Sequence, residues 1–379
     1  MLNKTTLLWL LVSCATAMVA QNELTFIRDG QVLSMEARMA QEKTQGADML
    51  VLRDGQVVLH EQYGFRDTEA QLPVTENTVF QVGSISQLVT NFAILQLVGQ
   101  GVLDLDTDVN TYLKSWQLPA NRVTRAQAVT IRDLLLQRRG FKFPYKPKGY
   151  AANAELPTHL ELLNGTGEAQ NPTVRLRKNV NKSGNHSFAP ALILQQVLMD
   201  HYEQPFAELM QANVLDPLGM TNSFFAKELS PEQRSRLAVG YEDEGEPLPD
   251  GYRRFAELGA SGLYATAADY GRFIQAILES CDEATTHPVL PTSLALAALQ
   301  PTDNSDVLLF NRGDDYFFWG GAAPGYYTQF EAALDGSWVV VAFMNENLNW
   351  SFNREMRESG KAVALAAGST SSESDQDDK

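Results

Sequence analysis

The chain has 379 residues, 44% of them hydrophobic and 20% charged, enough for one large two-lobed domain or two modest ones around a sizeable core. Its formal net charge of −16 argues against duplex nucleic acid as a partner and points to solubility rather than to a particular function. Cys14 and Cys281 are the only cysteines, so no disulfide framework is expected.

Lys4, the apolar run Thr5 to Val12 and a small-residue exit have the composition of a secretory leader over residues 1–20, too short to span a bilayer as a helix. Two processing routes stay open. Leu11-Val12-Ser13-Cys14 has the shape of a lipobox, which would leave Cys14 as a lipid-anchored terminus, and cleavage after Ala17 or Ala20 is the alternative. Either way the expectation is an exported, periplasmic or secreted protein with no transmembrane span once the leader is gone. Cys281 is given no role. The sequons at Asn164, Asn181, Asn185 and Asn349 carry no weight without a known source.

Beyond the leader, Val32, Met35 and Met39 predict a helix over residues 31–45. Ala47 to Leu52, then Asp54-Gly55, then Gln56 to His60 is a strand, turn and strand, because Asp-Gly between apolar runs favours the tight hairpin turn. Ser86 to Gln100 is apolar almost all round, the mark of a buried helix, and Gly101 ends it. Further helices are expected at 130–138, 190–204, 206–214 and 267–280, the last behind Thr266 as cap. A second hairpin, Thr328 to Leu334 and Ser337 to Met344 around Asp335-Gly336, precedes a helix from Asn349 to Leu365. Residues 367–379 are Ser- and Asp-rich and are expected to form a disordered acidic tail. Strands at both ends with helices between them argue for an α/β (α+β) domain over residues 24–366. Its antiparallel sheet lobe would take about 24–80 and 240–366, and its helical lobe about 84–239.

Phe80-Gln81-Val82-Gly83-Ser84 leads into the buried helix, and Gly101 to Asp106 follows it. Val129 to Leu135, Leu215 to Phe224, Gly259 to Asp269 and Trp319 to Tyr326 come in the same order. Together these blocks resemble the serine β-lactamase and penicillin-binding-protein superfamily, in its class C-like esterase and peptidase branch.

The resemblance implies three catalytic motifs, and this chain departs from each. In Ser-x-x-Lys the serine attacks a carbonyl while the lysine helps remove its proton; here Ser84 is present but Gln87 holds the lysine position. Tyr-x-Asn falls on His186-Ser187-Phe188, and Lys-Thr-Gly or His-x-Gly falls on Trp319-Gly320-Gly321. The oxyanion donors implied are the backbone N–H groups of Ser84 and Ala322, which survive side-chain changes. The expectation is a catalytically inactive family member (a pseudoenzyme) that binds a ligand or partner in the altered cleft. The alternative is a serine hydrolase of esters, amides or peptides in which His186 is the base for Ser84.

Blander readings stand beside each of these. Ser84 would serve equally to cap its helix, His186 to pack or face solvent, and Trp319 and Phe188 to fill space rather than floor an apolar pocket. Between Gln137 and Lys182, nine basic residues (Arg138, Arg139, Lys142, Lys146, Lys148, Arg175, Arg177, Lys178 and Lys182) outweigh Glu155, Glu161 and Glu168, a local balance of +6. This is either a solvated surface or a rim for an anionic ligand. Nothing in the sequence asks for a metal or a cofactor, since the histidines stand at no ligand spacing.

Overall fold

A computed structural model of the chain describes residues 23–137, 140–141, 148–177, 187–300, 308–347 and 349–374, with side chains as far as 368. The first element is a two-stranded hairpin, β1 (Phe26–Arg28) and β2 (Gln31–Leu33), followed by α1 (Met35–Glu42). The helix expected over 31–45 is therefore shorter. Residues 31–33 pair as a strand, Ser34 caps the helix by accepting from the Ala37 N–H, and Lys43 ends it in a left-handed conformation. Next come β3 (Gly46–Arg53) and β4 (Gln56–Asp67), joined at Asp54-Gly55 with φ of 48° and 76°. Both values are positive, as the tight turn demands. Then follow β5 (Leu72–Pro73), β6 (Phe80–Gln81), a one-turn 3₁₀ helix (Gly83–Ile85) and α2 (Ser86–Gly99).

The helical lobe continues with α3 (Arg122–Ala126), α4 (Ile131–Leu135), α5 (His159–Asn164), α6 (Ala189–Tyr202) and α7 (Phe206–Met210). Two of these are shorter than the sequence predicts. Thr130 caps α4 through a reciprocal bond with Asp133, and past Met210 the winding widens into a π turn over Gln211–Leu215. After β7 (Phe224–Phe225), α8 (Pro231–Arg236), α9 (Leu258–Ser261), β8 (Leu263–Ala265), α10 (Ala267–Ser280) and α11 (Thr292–Leu299), the chain returns to the sheet. It does so through β9 (Asn311–Arg312), β10 (Tyr316–Ala323), β11 (Tyr326–Ala333) and β12 (Trp338–Met344), and closes with α12 (Trp350–Ser374). This last helix continues past Ala367, where the sequence alone places a disordered tail. Ala362, Ala364, Ala366 and Ala367 favour helix, and Gly368 does not end it.

The large sheet is antiparallel with strand order β5-β4-β3-β12-β11-β10-β9, so the two ends of the chain meet at its centre, where Val51 faces Val340. Both faces are covered. Leu50 and Leu52 of β3, with Val339, Val341 and Phe343 of β12, point into the core shared with α2, α6 and α10. Ala47, Met49 and Val51, with Val340, Ala342 and Met344, pack against Met35, Met39, Phe352 and Met356 of α1 and α12. Double coverage explains why these strands read as continuous apolar runs instead of alternating. A small sheet, β6-β8-β7, bridges the large one to the helical lobe. Among the described residues no helix is long and apolar enough to cross a membrane.

Candidate functional site

Ser84 sits on the 3₁₀ turn between β6 and α2, half-buried, at the seam of sheet and helical lobe. The edge of β10 presses on that turn. Gly83 has φ of +55°, and a Cβ there would lie 2.5 Å from the Ala322 carbonyl oxygen, while a Cβ on Gly321 would lie 2.0 Å from that of Val82. Only glycines allow this approach. The Thr328 hydroxyl on β11 donates to the Val82 carbonyl at 2.9 Å and fixes the same turn from the next strand. The backbone at Ser84 and the exposed Ala322 are thereby held side by side.

Capping does not occupy the Ser84 hydroxyl. Ile85 stands at the N-cap of α2 without a side-chain bond, and Ser86 donates instead to the Gly83 carbonyl at 2.7 Å while accepting from the Leu263 N–H at 3.2 Å. The Ser84 hydroxyl bonds to no described residue.

One turn further, Gln87 is 1% exposed. Its amide donates to the Ala260 carbonyl at 3.4 Å, and its carbonyl accepts from the Gln137 amide at 3.0 Å. Gln137 follows α4 with φ of 47°. Ala260 belongs to α9, which is tied down by the Gln195 side chain, accepting from the Gly259 N–H at 2.8 Å, and by the Thr90 hydroxyl, donating to the Gly259 carbonyl at 2.9 Å. Phe188 is 9% exposed and packs on Ala191 and the same Ala260. Trp319 lies half-buried on β10 opposite Phe330, packed against the main core. His186 lies outside the described residues.

The structure thus brings Ser84, Gln87, Phe188, Trp319 and Ala322 to one seam. Two phenols are bonded to the backbone or side chains around the serine turn: Tyr270 donates to the Ile85 carbonyl at 3.3 Å, and Tyr264 accepts from the Gln81 amide at 2.9 Å. Burial raises both phenol pKa values well above the ordinary range, so neither is ionised near neutral pH to act as a base. Sequence reasoning missed Gln137, Ala260 and the glycines that admit β10. The Gly320-Gly321 pair inside a strand is the one local signal of close backbone approach. Among the described residues no group of His, Cys, Asp or Glu could hold a metal ion.

Residues 34–364 match the beta-lactamase family model. The chain belongs to the beta-lactamase family. Among curated relatives, it is 28% identical over 309 residues to esterase EstB of Burkholderia gladioli, covering 72% of this chain and 74% of the esterase. It is 26% identical over 235 residues to the putative penicillin-binding protein PbpX of Bacillus subtilis, covering 61% of this chain but only 54%, about half, of PbpX. The fold matches the crystal structure of FmtA from Staphylococcus aureus with a TM-score of 0.69 at 17% identity, over 87% of this chain and 88% of that one. It matches D-alanine carboxypeptidase AmpC from Burkholderia cenocepacia at 0.63 and 18%, over 87% and 95%. The family fold, with its antiparallel sheet and helical lobe, is the one inferred from the order of the sequence blocks.

Proposed function

We propose that this beta-lactamase-family chain binds a carbonyl- or carboxylate-bearing ligand at the Ser84 seam without turning it over, outside the cytoplasm as its leader composition implies. The observation that carries this reading is Gln87. A carboxamide does not take a proton near neutral pH, and this one is buried with its oxygen committed to Gln137 and its nitrogen to Ala260. Activation of Ser84 is therefore missing where the family pattern supplies it. Ligand recognition is retained, in a serine hydroxyl that no described residue engages and in backbone donors held by β10.

A second reading keeps catalysis, with Ser84 as nucleophile and His186 as base. It is favoured by that same free hydroxyl and by the esterase relative, which matches over most of its length.

Intact-mass analysis after exposure to a fluorophosphonate and to a fluorescent penicillin separates the two. The expected result is no adduct from either probe on folded protein. An adduct on Ser84, abolished by Ser84→Ala and weakened by His186→Ala, would overturn the binding reading and establish the second.

A further inference from the structure

In a chain of net charge −16, the cations without a partner should be rare and scattered. They are not scattered. Of the described arginines and lysines, Arg122, Arg125, Lys148, Arg175, Arg177 and Arg253 alone make no side-chain hydrogen bond, ion pair or ring contact. The others are engaged, for example Arg132 on Asp106, Arg254 on Glu228 and Arg357 on Glu331. Five of the six are exposed and Arg253 is half-exposed.

The segments that carry these six connect, directly or through intervening residues, to those around Ser84. Along residues 174–177 burial alternates, Val174 and Leu176 in, Arg175 and Arg177 out, so both arginines face solvent on the same side of the segment. The Arg177 N–H donates to the Gly140 carbonyl at 2.9 Å, three residues past Gln137, which donates to Gln87. The Asn121 amide donates to the Leu176 carbonyl at 2.8 Å, which sets Arg122 and Arg125 of α3 beside that segment. At the other end, the Gln81 amide donates to the Arg253 carbonyl at 2.6 Å, three residues before Ser84. Gly149 lies so close to Arg253 that a Cβ would meet its side chain at 2.5 Å, which places Lys148 next to it. Glu155 and Glu168 are the exposed carboxylates in the same stretch, and neither pairs with any of the six.

We propose that this line of unpaired cations, running from α3 along residues 174–177 and past the Ser84 seam to Lys148 and Arg253, is a binding track for a linear polyanion. Arginine suits that role, because its planar fork matches phosphate and carboxylate oxygens and is weakly hydrated. An extended ligand with an anionic group at each repeat would bridge the track while placing one segment against Ser84. The proposal extends the cleft reading but does not depend on the absence of turnover.

The test is titration of full-length Ser84→Ala protein with labelled long-chain polyphosphate and labelled poly-glutamate, read by fluorescence anisotropy at 50 and 300 mM salt. At least one polymer is expected to bind, with affinity falling tenfold or more as salt rises. The double variant Arg175→Glu/Arg177→Glu and the single variant Arg253→Glu should each lower affinity at least tenfold. Arg175→Gln/Arg177→Gln should lower it less, and Arg354→Glu, on α12 and outside the track, should not change it. The tighter polymer identifies phosphate or carboxylate as the repeating group. Binding of neither polymer would overturn the proposal, as would equal loss in Arg354→Glu. A Ser84 adduct in the mass experiment would overturn the no-turnover reading and leave the track standing.

Discussion

At the scale of single residues, Glu346 shows how the fold tolerates an unfavourable charge away from the site. It lies just past the end of β12 and is 6% exposed. Burial is the main cause that lifts its carboxyl to about 7, with Glu42 adding to the shift and the Thr44 hydroxyl and Arg38 opposing it. Thr44 donates to one carboxyl oxygen, and the other has no hydrogen-bond partner among the described residues. A carboxyl whose pKa is raised in the fold binds its proton more tightly there than in the unfolded chain. Its contribution to stability is complete below the unfolded value of 4.5 and is lost as pH rises toward 7. Glu346→Gln removes that loss, so it should stabilise the protein at pH 8 by on the order of 1–3 kcal/mol and do little at pH 4. Thermal melts of both proteins across that range would decide it, and an advantage that did not grow with pH would refute the assignment. Sequence alone could not have picked out Glu346. It is one carboxylate among 46, and only the return of β12 beside α1 buries it.

Between elements, the decisive contact is β10 against the Ser84 turn. Gly321→Ala would drive a methyl group to 2.0 Å from the Val82 carbonyl, a backbone atom that cannot swing aside. Gly336→Ala meets nothing within 4 Å and carries only the strain of φ +77°. The first should cost about 2–4 kcal/mol, as overpacking at a fixed backbone does, and the second about 1–2 kcal/mol. Urea unfolding of the two variants at one pH measures both, and equal costs would mean that β10 yields freely. The elements forming this contact are visible in the sequence. The buried helix α2 follows from its unbroken apolar composition, and the closing hairpin from Asp335-Gly336. What the sequence hides is that Gly83 and Gly321, 238 positions apart, need each other. The same holds for Gln87 and Gln137, since neither residue has a local reason to be glutamine. Element limits failed for a related reason: Ser34 chooses a helix start through a hydrogen bond that competes with hydrophobic spacing, and α4 stops at Leu135, ahead of the left-handed Gln137.

For the molecule as a whole, stability depends on joining the two chain ends. β3 pairs with β12 over seven residues, from Trp338 opposite Arg53 to Met344 opposite Ala47, and no local element can substitute for that pairing. A chain ending at Gln300 would leave β3 an open edge. It would also strip Leu50 and Leu52 of Val339, Val341 and Phe343 on one face, and Met49 and Val51 of Phe352 and Met356 on the other. Each lost side chain is worth about 1.5–3 kcal/mol of burial, so the deficit is comparable with the whole 5–15 kcal/mol by which domains are stable. The 1–300 fragment is therefore expected to unfold without a cooperative transition and to lack near-ultraviolet circular dichroism. The missing strands act through pairing and packing, not through the covalent link, so adding a 308–379 fragment should restore both signals with an amplitude that depends on its concentration. A 1–300 fragment that melts cooperatively alone would mean that the helical lobe holds its own core and that the sheet merely docks on it. The Ser84 turn would then be ordered without β10, and the approach of Ala322 to it would be a product of docking rather than of the fold.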